Sequence, residues 1–161
     1  SSPMIASAKK KAQELTFKNS YFYEEDIHVF ANANNNAGKF DAAFAMDFSE
    51  HVYDKEWVNI LSSIRKTLKP QGVLYLHTPN GEYFIELLKN KGMLKQIPQH
   101  IAVRGTTHNL KLLNEAGFQN IKVNYLPHYE WRQKAFEVLS YIPLVGRYFR
   151  ARLFITAKIG K

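Results

Sequence analysis

"FDAAFAM", residues 40–46, is apolar at every position but Asp41, and "DFSEH" follows it directly. A half-buried strand alternates apolar with polar residues. A run this uniformly apolar is expected of a strand covered on both faces, as in a parallel sheet flanked by helices. The next residues extend the unit. Asp54 is placed to cap a helix whose Trp57, Ile60, Leu61, Ile64 and Leu68 form one stripe, "KPQG" ends that helix, and "GVLYLHTPN" supplies another apolar strand. Strand, amphipathic helix and strand in succession commit the chain to an α/β architecture.

The flanking segments continue the alternation. "SPMIASAKKKAQELTF" puts Met4, Ile5, Ala8, Ala12 and Leu15 on one helical face, with Pro3 suited to the first turn. "NSYFYEED" predicts a strand at Tyr21–Tyr23 that stops at acidic residues, and "ANANNNAG" reads as a surface loop. Asn80 is placed to cap a helix through Leu88 that Gly92 stops, and "TTHNLKLLNEAGF" predicts a helix ending at Gly117. The strand "NIKVNYL" follows, then a basic excursion with a helix around Arg132 to Tyr141, then a last strand, "RLFITAKIG". The expectation is one domain over residues 1–161 with a mostly parallel, doubly wound sheet and a basic helical insertion at 126–152.

Composition agrees with a single core, since 161 residues with 45% hydrophobic content bury one sizeable core but hardly two. The absence of cysteine excludes disulfides, thiolate catalysis and Cys-type zinc sites. No apolar run approaches the roughly 20 residues of a membrane span, so the expected setting is cytoplasmic. Of the net charge of +8, most belongs to Arg132–Lys161, where seven Lys/Arg face Glu137 alone. Trp131, Phe136, Tyr141, Tyr148 and Phe149 are spaced as in a core or helix face rather than a base-stacking platform, which argues against nucleic acid. Trp131, Ala135, Val138, Leu139 and Ile142 form a stripe that leads into "PLVGRYFRAR". That pattern fits docking on an anionic membrane surface, peripherally, or a cover over an acceptor site, or an ordinary solvated face over packed side chains.

In open α/β sheets, ligands bind beyond the carboxyl ends of the strands. "EED" at 24–26 and "MDFSEH" at 46–51 lie at such ends. Asp47, Glu50 and His51 stand at i, i+3 and i+4, one side of a helical turn. Three readings follow: a cap with a solvated face, a divalent metal site, or one wall of an active site with His51 as a base. Two oxygen ligands and an imidazole suit Mg²⁺, Mn²⁺ or Zn²⁺.

"FDAAFAMDFSEHVYDKEWVNILSSIRKTLKPQGVLYLHTPN" resembles the second half of class I S-adenosylmethionine-dependent methyltransferases, especially the subgroup containing the ubiquinone-biosynthesis O-methyltransferases. The "MD..EH" element, "LKPQG" where that family has LKPGG, the strand closing on "TPN", and "LLNEAGF" occur in the family's order. Upstream, "SSPMIASAKKKAQEL" and "NSYFYEEDI" resemble the helix after the family's second strand and its third strand; the likeness covers about residues 1–125 and the last strand. It implies a Rossmann-like fold and S-adenosylmethionine as cofactor. It also implies that Asp26 accepts from the adenine amino group, that the Ile27 amide faces a ring nitrogen, and that Met46 and Asp47 border the methionine moiety. Glu50 and His51 are then the candidate catalytic residues. Some members of that subgroup use Glu-x-x-Glu-His for a metal that helps ionise a catechol hydroxyl, which here maps onto Asp47, Glu50 and His51. The acceptor class implied is a small molecule or a lipid-linked one, with O-methylation foremost.

The eight glycines include no GxGxG cluster, and no acid follows a second strand to bind the cofactor ribose. The resemblance therefore implies a domain whose N-terminal strands are missing from these residues, with weak cofactor binding and exposed edges that favour a homo-oligomer. A catalytically silent remnant that binds a partner is the alternative. A nicotinamide-dependent enzyme shares the architecture, but its glycine fingerprint is absent.

Overall fold

The computed structural model describes residues 2–33, 35–127 and 135–160. Its helices are α1 (Ser2–Glu14), α2 (Ile27–Asn32), α3 (Asp54–Thr67), α4 (Phe84–Asn90) and α5 (Thr106–Glu115). Its strands are β1 (Phe40–Met46), β2 (Leu68–Pro79), β3 (Phe118–Leu126) and β4 (Arg152–Ile159), in the sheet order β1-β2-β4-β3. β1 pairs parallel with β2, and β4 runs antiparallel to both β2 and β3. Three strands thus point one way, and the last strand in sequence enters between two of them in the opposite direction. The α/β architecture is the expected one, with a mixed sheet.

The core lies between one sheet face and helices α3 and α5. Trp57, Leu61, Leu74, Leu76, Leu113, Leu153 and Ile155 are fully buried there, and Phe118 closes the β3 side. α3 buries Trp57, Ile60, Leu61 and Ile64, the stripe expected from its period. Its contacts with α2 and α5 make it the central helix of this layer. Gly92 and Gly117 stop α4 and α5 as anticipated. Both adopt left-handed backbone, at φ 73° and 85°, a conformation that spares glycine the Cβ clash.

Several expectations are corrected. Residues 21–23 form no strand; they pass as irregular chain into α2, and Tyr21 and Tyr23 are exposed. β1 is not covered on both faces: Ala45 is buried on the core side, whereas Phe44 is 65% exposed. On that outer face Phe44 stacks on Tyr75 at 4.9 Å, and Tyr75 meets Phe154 at 6.1 Å, an aromatic row across β1, β2 and β4. α1 forms, yet of its predicted apolar face only Ala12 is buried, and Met4 remains exposed. Neither residue is the N-cap of its helix, since Tyr53 and Tyr83 occupy those positions. Asp54 bonds to Arg104, whereas Asn80 accepts the Glu82 N–H at 3.0 Å just ahead of α4 and also donates to the Arg150 carbonyl. The start of the expected helix, with Arg132 and Lys134, lies outside the described residues, as does Trp131 of the expected stripe. Ala135–Tyr141 is a 3₁₀ turn, followed by a second at Gly146–Phe149.

Candidate active site

β1 ends at Met46, and its backbone reverses at Asp47, which takes φ 49° and donates its N–H to the His77 carbonyl. This left-handed residue turns the chain off the sheet into a 3₁₀ turn, Ser49–His51. Positive φ is tolerated by aspartate better than by most residues, so the turn is compatible with an acid at this point.

A cleft of about 1190 Å³ runs along β1. Asp26, Ile27, Phe30, Met46, Phe48 and Trp57 are among its walls. Three of the residues expected to hold the cofactor, Asp26, Ile27 and Met46, therefore share one space. Asp26 is exposed and caps α2, accepting the His28 N–H at 2.7 Å on Oδ1, which leaves Oδ2 for another donor. Ile27 opens α2, where the first N–H groups of a helix have no intrahelical acceptor. The indole N–H of Trp57 is buried without a hydrogen-bond partner among the described residues.

The trio expected from the 47–51 spacing is not the one assembled. Asp47 Oδ1 instead meets His77 Nδ1 at 3.1 Å and Arg152 Nη2 at 3.0 Å, tying the ends of β1, β2 and β4 together. Glu50 and His51 converge with His100, a residue the sequence did not single out. One ligand atom from each lies within 4.8 Å of the others. Asp47 stands outside the Ser49–His51 turn in left-handed backbone, so the i, i+3, i+4 geometry of one continuous helix does not apply to it.

Glu50 is buried, its carboxylate accepting only at 3.3 Å from Thr78 Oγ1, which in turn accepts from Ser49 at 2.9 Å. His51 Nδ1 lies 2.8 Å from the Gln99 carbonyl. A carbonyl only accepts, so Nδ1 is the donor in this bond and Nε2 is left outside it. His100 Nδ1 is buried with no hydrogen-bond partner among the described residues. Burial foremost holds the His100 pKa below 6.5, against an opposing pull from Glu50 and with a smaller push from His51. One carboxylate and two imidazoles with ligand atoms this close are a donor set that a divalent cation takes.

The loop is clamped from 50 residues downstream. Arg104, 3% exposed, donates to the Ser49 and Val52 carbonyls at 2.6 and 2.7 Å and to Asp54 Oδ1 at 2.8 Å, and the Ala102 N–H donates to the Glu50 carbonyl. His100 and Arg104 gave no local signal, since their role arises only when residues 99–104 fold back over 49–54.

The methyltransferase domain family model matches residues 4–123, most of the chain. The chain belongs to that family. A curated ubiquinone biosynthesis O-methyltransferase from Haemophilus ducreyi is 36% identical over 97 residues, 57% of this chain and 40% of the relative. The chain thus spans less than half of that relative's length. Among solved structures, a SAM-dependent methyltransferase from Archaeoglobus fulgidus superposes with a TM-score of 0.63 at 17% identity, covering 89% of this chain and 71% of that one. The [4+2]-cyclase SpnF reaches 0.63 at 18% identity, covering 97% and 63%. At such identities the likeness concerns the fold, and a cyclase among the neighbours shows that this fold alone does not fix a reaction. These matches lend no support to a silent remnant.

Proposed function

We propose that these residues form the acceptor-side part of an S-adenosylmethionine-dependent methyltransferase that methylates an oxygen of a small-molecule or lipid-linked acceptor. The observation that carries this reading is that Asp26, Ile27 and Met46 line one cleft along β1, while in the turn that follows that strand Glu50 and His51 meet His100. A carboxylate acceptor next to a free amide donor matches the donor–acceptor edge of adenine. In the transfer, the acceptor oxygen forms a bond to the methyl carbon as the sulfur–carbon bond breaks in line, and S-adenosylhomocysteine departs. Positioning does most of this work, and the hydroxyl proton passes to a base. Without an ion, His51 serves as that base through Nε2, since Nδ1 faces the Gln99 carbonyl. A divalent ion held by Glu50, His51 and His100 would occupy that same nitrogen and would take over the base's part by lowering the pKa of a hydroxyl bound to it.

Two-dimensional NMR of the labelled chain, titrated with S-adenosylmethionine into the millimolar range, tests the cofactor assignment. The amides of Asp26, Ile27 and Met46 should shift progressively, and Asp26→Ala should abolish the response. Shifts confined to other parts of the fold would refute the placement.

A further inference from the structure

The segment Val138–Val145, "VLSYIPLV", contains no charged residue, and the structure turns it outward. Val138 is 72% exposed, Tyr141 74% and Leu144 94%, with Ile142 and Val145 also exposed. This is a built projection rather than a frayed end. Leu144 takes φ 69°, the Val145 N–H donates to the Pro143 carbonyl, and the Gly146 N–H donates to the Ile142 carbonyl. A Cβ at Gly146 would fall 2.1 Å from the Ser140 carbonyl oxygen, so only glycine lets the turn close this tightly. Its base is anchored as well: the buried Asn80 side chain donates to the Arg147 and Arg150 carbonyls, and Phe149 packs on Phe84 at 5.5 Å. Asn80 follows β2 directly, so the projection rises from the carboxyl end of that strand.

Charge decides what covers it. No acidic residue follows Glu137, while Arg147, Arg150, Arg152, Lys158 and Lys161 do. The Arg150 guanidinium sits 5.4 Å from the Tyr141 ring, at the rim of the apolar tip. Arg147 lies over the Tyr148 ring at 4.9 Å and 3.9 Å from Glu82, and Arg152 is held by Asp47. An uncharged tip with tyrosine beside it and arginine at its base matches the layering of a bilayer surface, where acyl chains lie beneath anionic headgroups. We propose that residues 138–150 form a peripheral docking site for anionic phospholipid membranes, with the 138–145 tip entering the acyl boundary and Arg150 meeting phosphate groups. This site stands whether or not the chain transfers methyl groups, and its test uses no methyl donor.

The experiment is co-sedimentation of the whole chain with vesicles of pure phosphatidylcholine and with vesicles in which part of it is replaced by phosphatidylglycerol. Pelleting should require the anionic lipid and fall as salt is raised. Leu144→Glu should weaken the partition about tenfold or more, equivalent to about 1.4 kcal/mol, and Arg150→Gln about fivefold, in line with one basic residue at an anionic surface. Val138→Glu is the second tip variant, and circular dichroism melts confirm that each variant is folded. Absence of pelleting with either vesicle overturns the proposal. So does equal pelleting with both, or pelleting that all three variants leave unchanged. Concentration-dependent self-association that Leu144→Glu abolishes, without vesicle binding, would assign the tip to a second copy of the chain and overturn it too.

Discussion

Arg104 organises the loop that presents Glu50 and His51, since three of its donors are spent on Ser49, Val52 and Asp54. Replacing it with methionine keeps the stem but leaves two carbonyls of the loop without their donors. Arg104→Met should cost about 3 kcal/mol, read as a lower urea midpoint. The same clamp has an acid limit. Burial alone would raise the Asp54 pKa, but hydrogen bonds from Arg104 and His108, with their charges, outweigh it and hold the pKa below 3.8. A carboxyl whose folded pKa is depressed stabilises the fold fully above its unfolded value and loses that contribution as pH falls through the folded one. Stability measured against pH should therefore drop below about pH 3.8 in the parent, and Asp54→Asn should flatten that part of the profile. At the cluster itself, His100→Ala should weaken Mn²⁺ or Zn²⁺ binding in calorimetry by 10-fold or more, a loss on the order of that seen when metal-site partners are removed. Asp47→Ala should leave it nearly unchanged, because Asp47 bonds to His77 and Arg152 instead.

Elements whose burial follows a local period were legible in the sequence. The α3 stripe, the two helix-stopping glycines and the strands on either side of α3 needed no distant contact to be recognised. Leu61, fully buried in that stripe, should cost about 2–5 kcal/mol on truncation to alanine. Gly117→Ala should cost about 1 kcal/mol by forcing a Cβ into left-handed backbone, and chemical denaturation separates the two effects by size. What was illegible depended on residues far along the chain. Tyr21–Tyr23 have strand-forming side chains but pair with no strand among the described residues. Asp54 and Asn80 look like caps, yet each is bonded by groups 50 or more residues away, Arg104 for one and the carbonyls of Arg147 and Arg150 for the other. Glu50 and His51, expected together from their spacing, do lie together, whereas Asp47 does not join them and the third residue of the cluster, His100, lies some 50 positions downstream, beyond the reach of any local pattern.

At the scale of the whole molecule, residues 1–161 line the cleft along β1 and contain no glycine-rich turn. Each hydrogen bond to a charged group is worth roughly 1.5–3 kcal/mol, so without a carboxylate for the ribose hydroxyls the cofactor should bind more weakly than about 1 mM in calorimetry. Micromolar binding by these residues alone would contradict that account. The sheet order carries a different consequence, concerning time. Among the described residues β3 is bonded to the rest of the sheet only through β4, which is made after it. Until residues 152–159 have been made, β3 has no strand beside it and the Phe118 side of the core stays open, whatever β1, α3 and β2 have already done. The nascent chain must therefore wait in a half-closed state, and a ribosome-stalled chain ending before Arg152 should be cut by protease within 106–126 while 40–79 is spared.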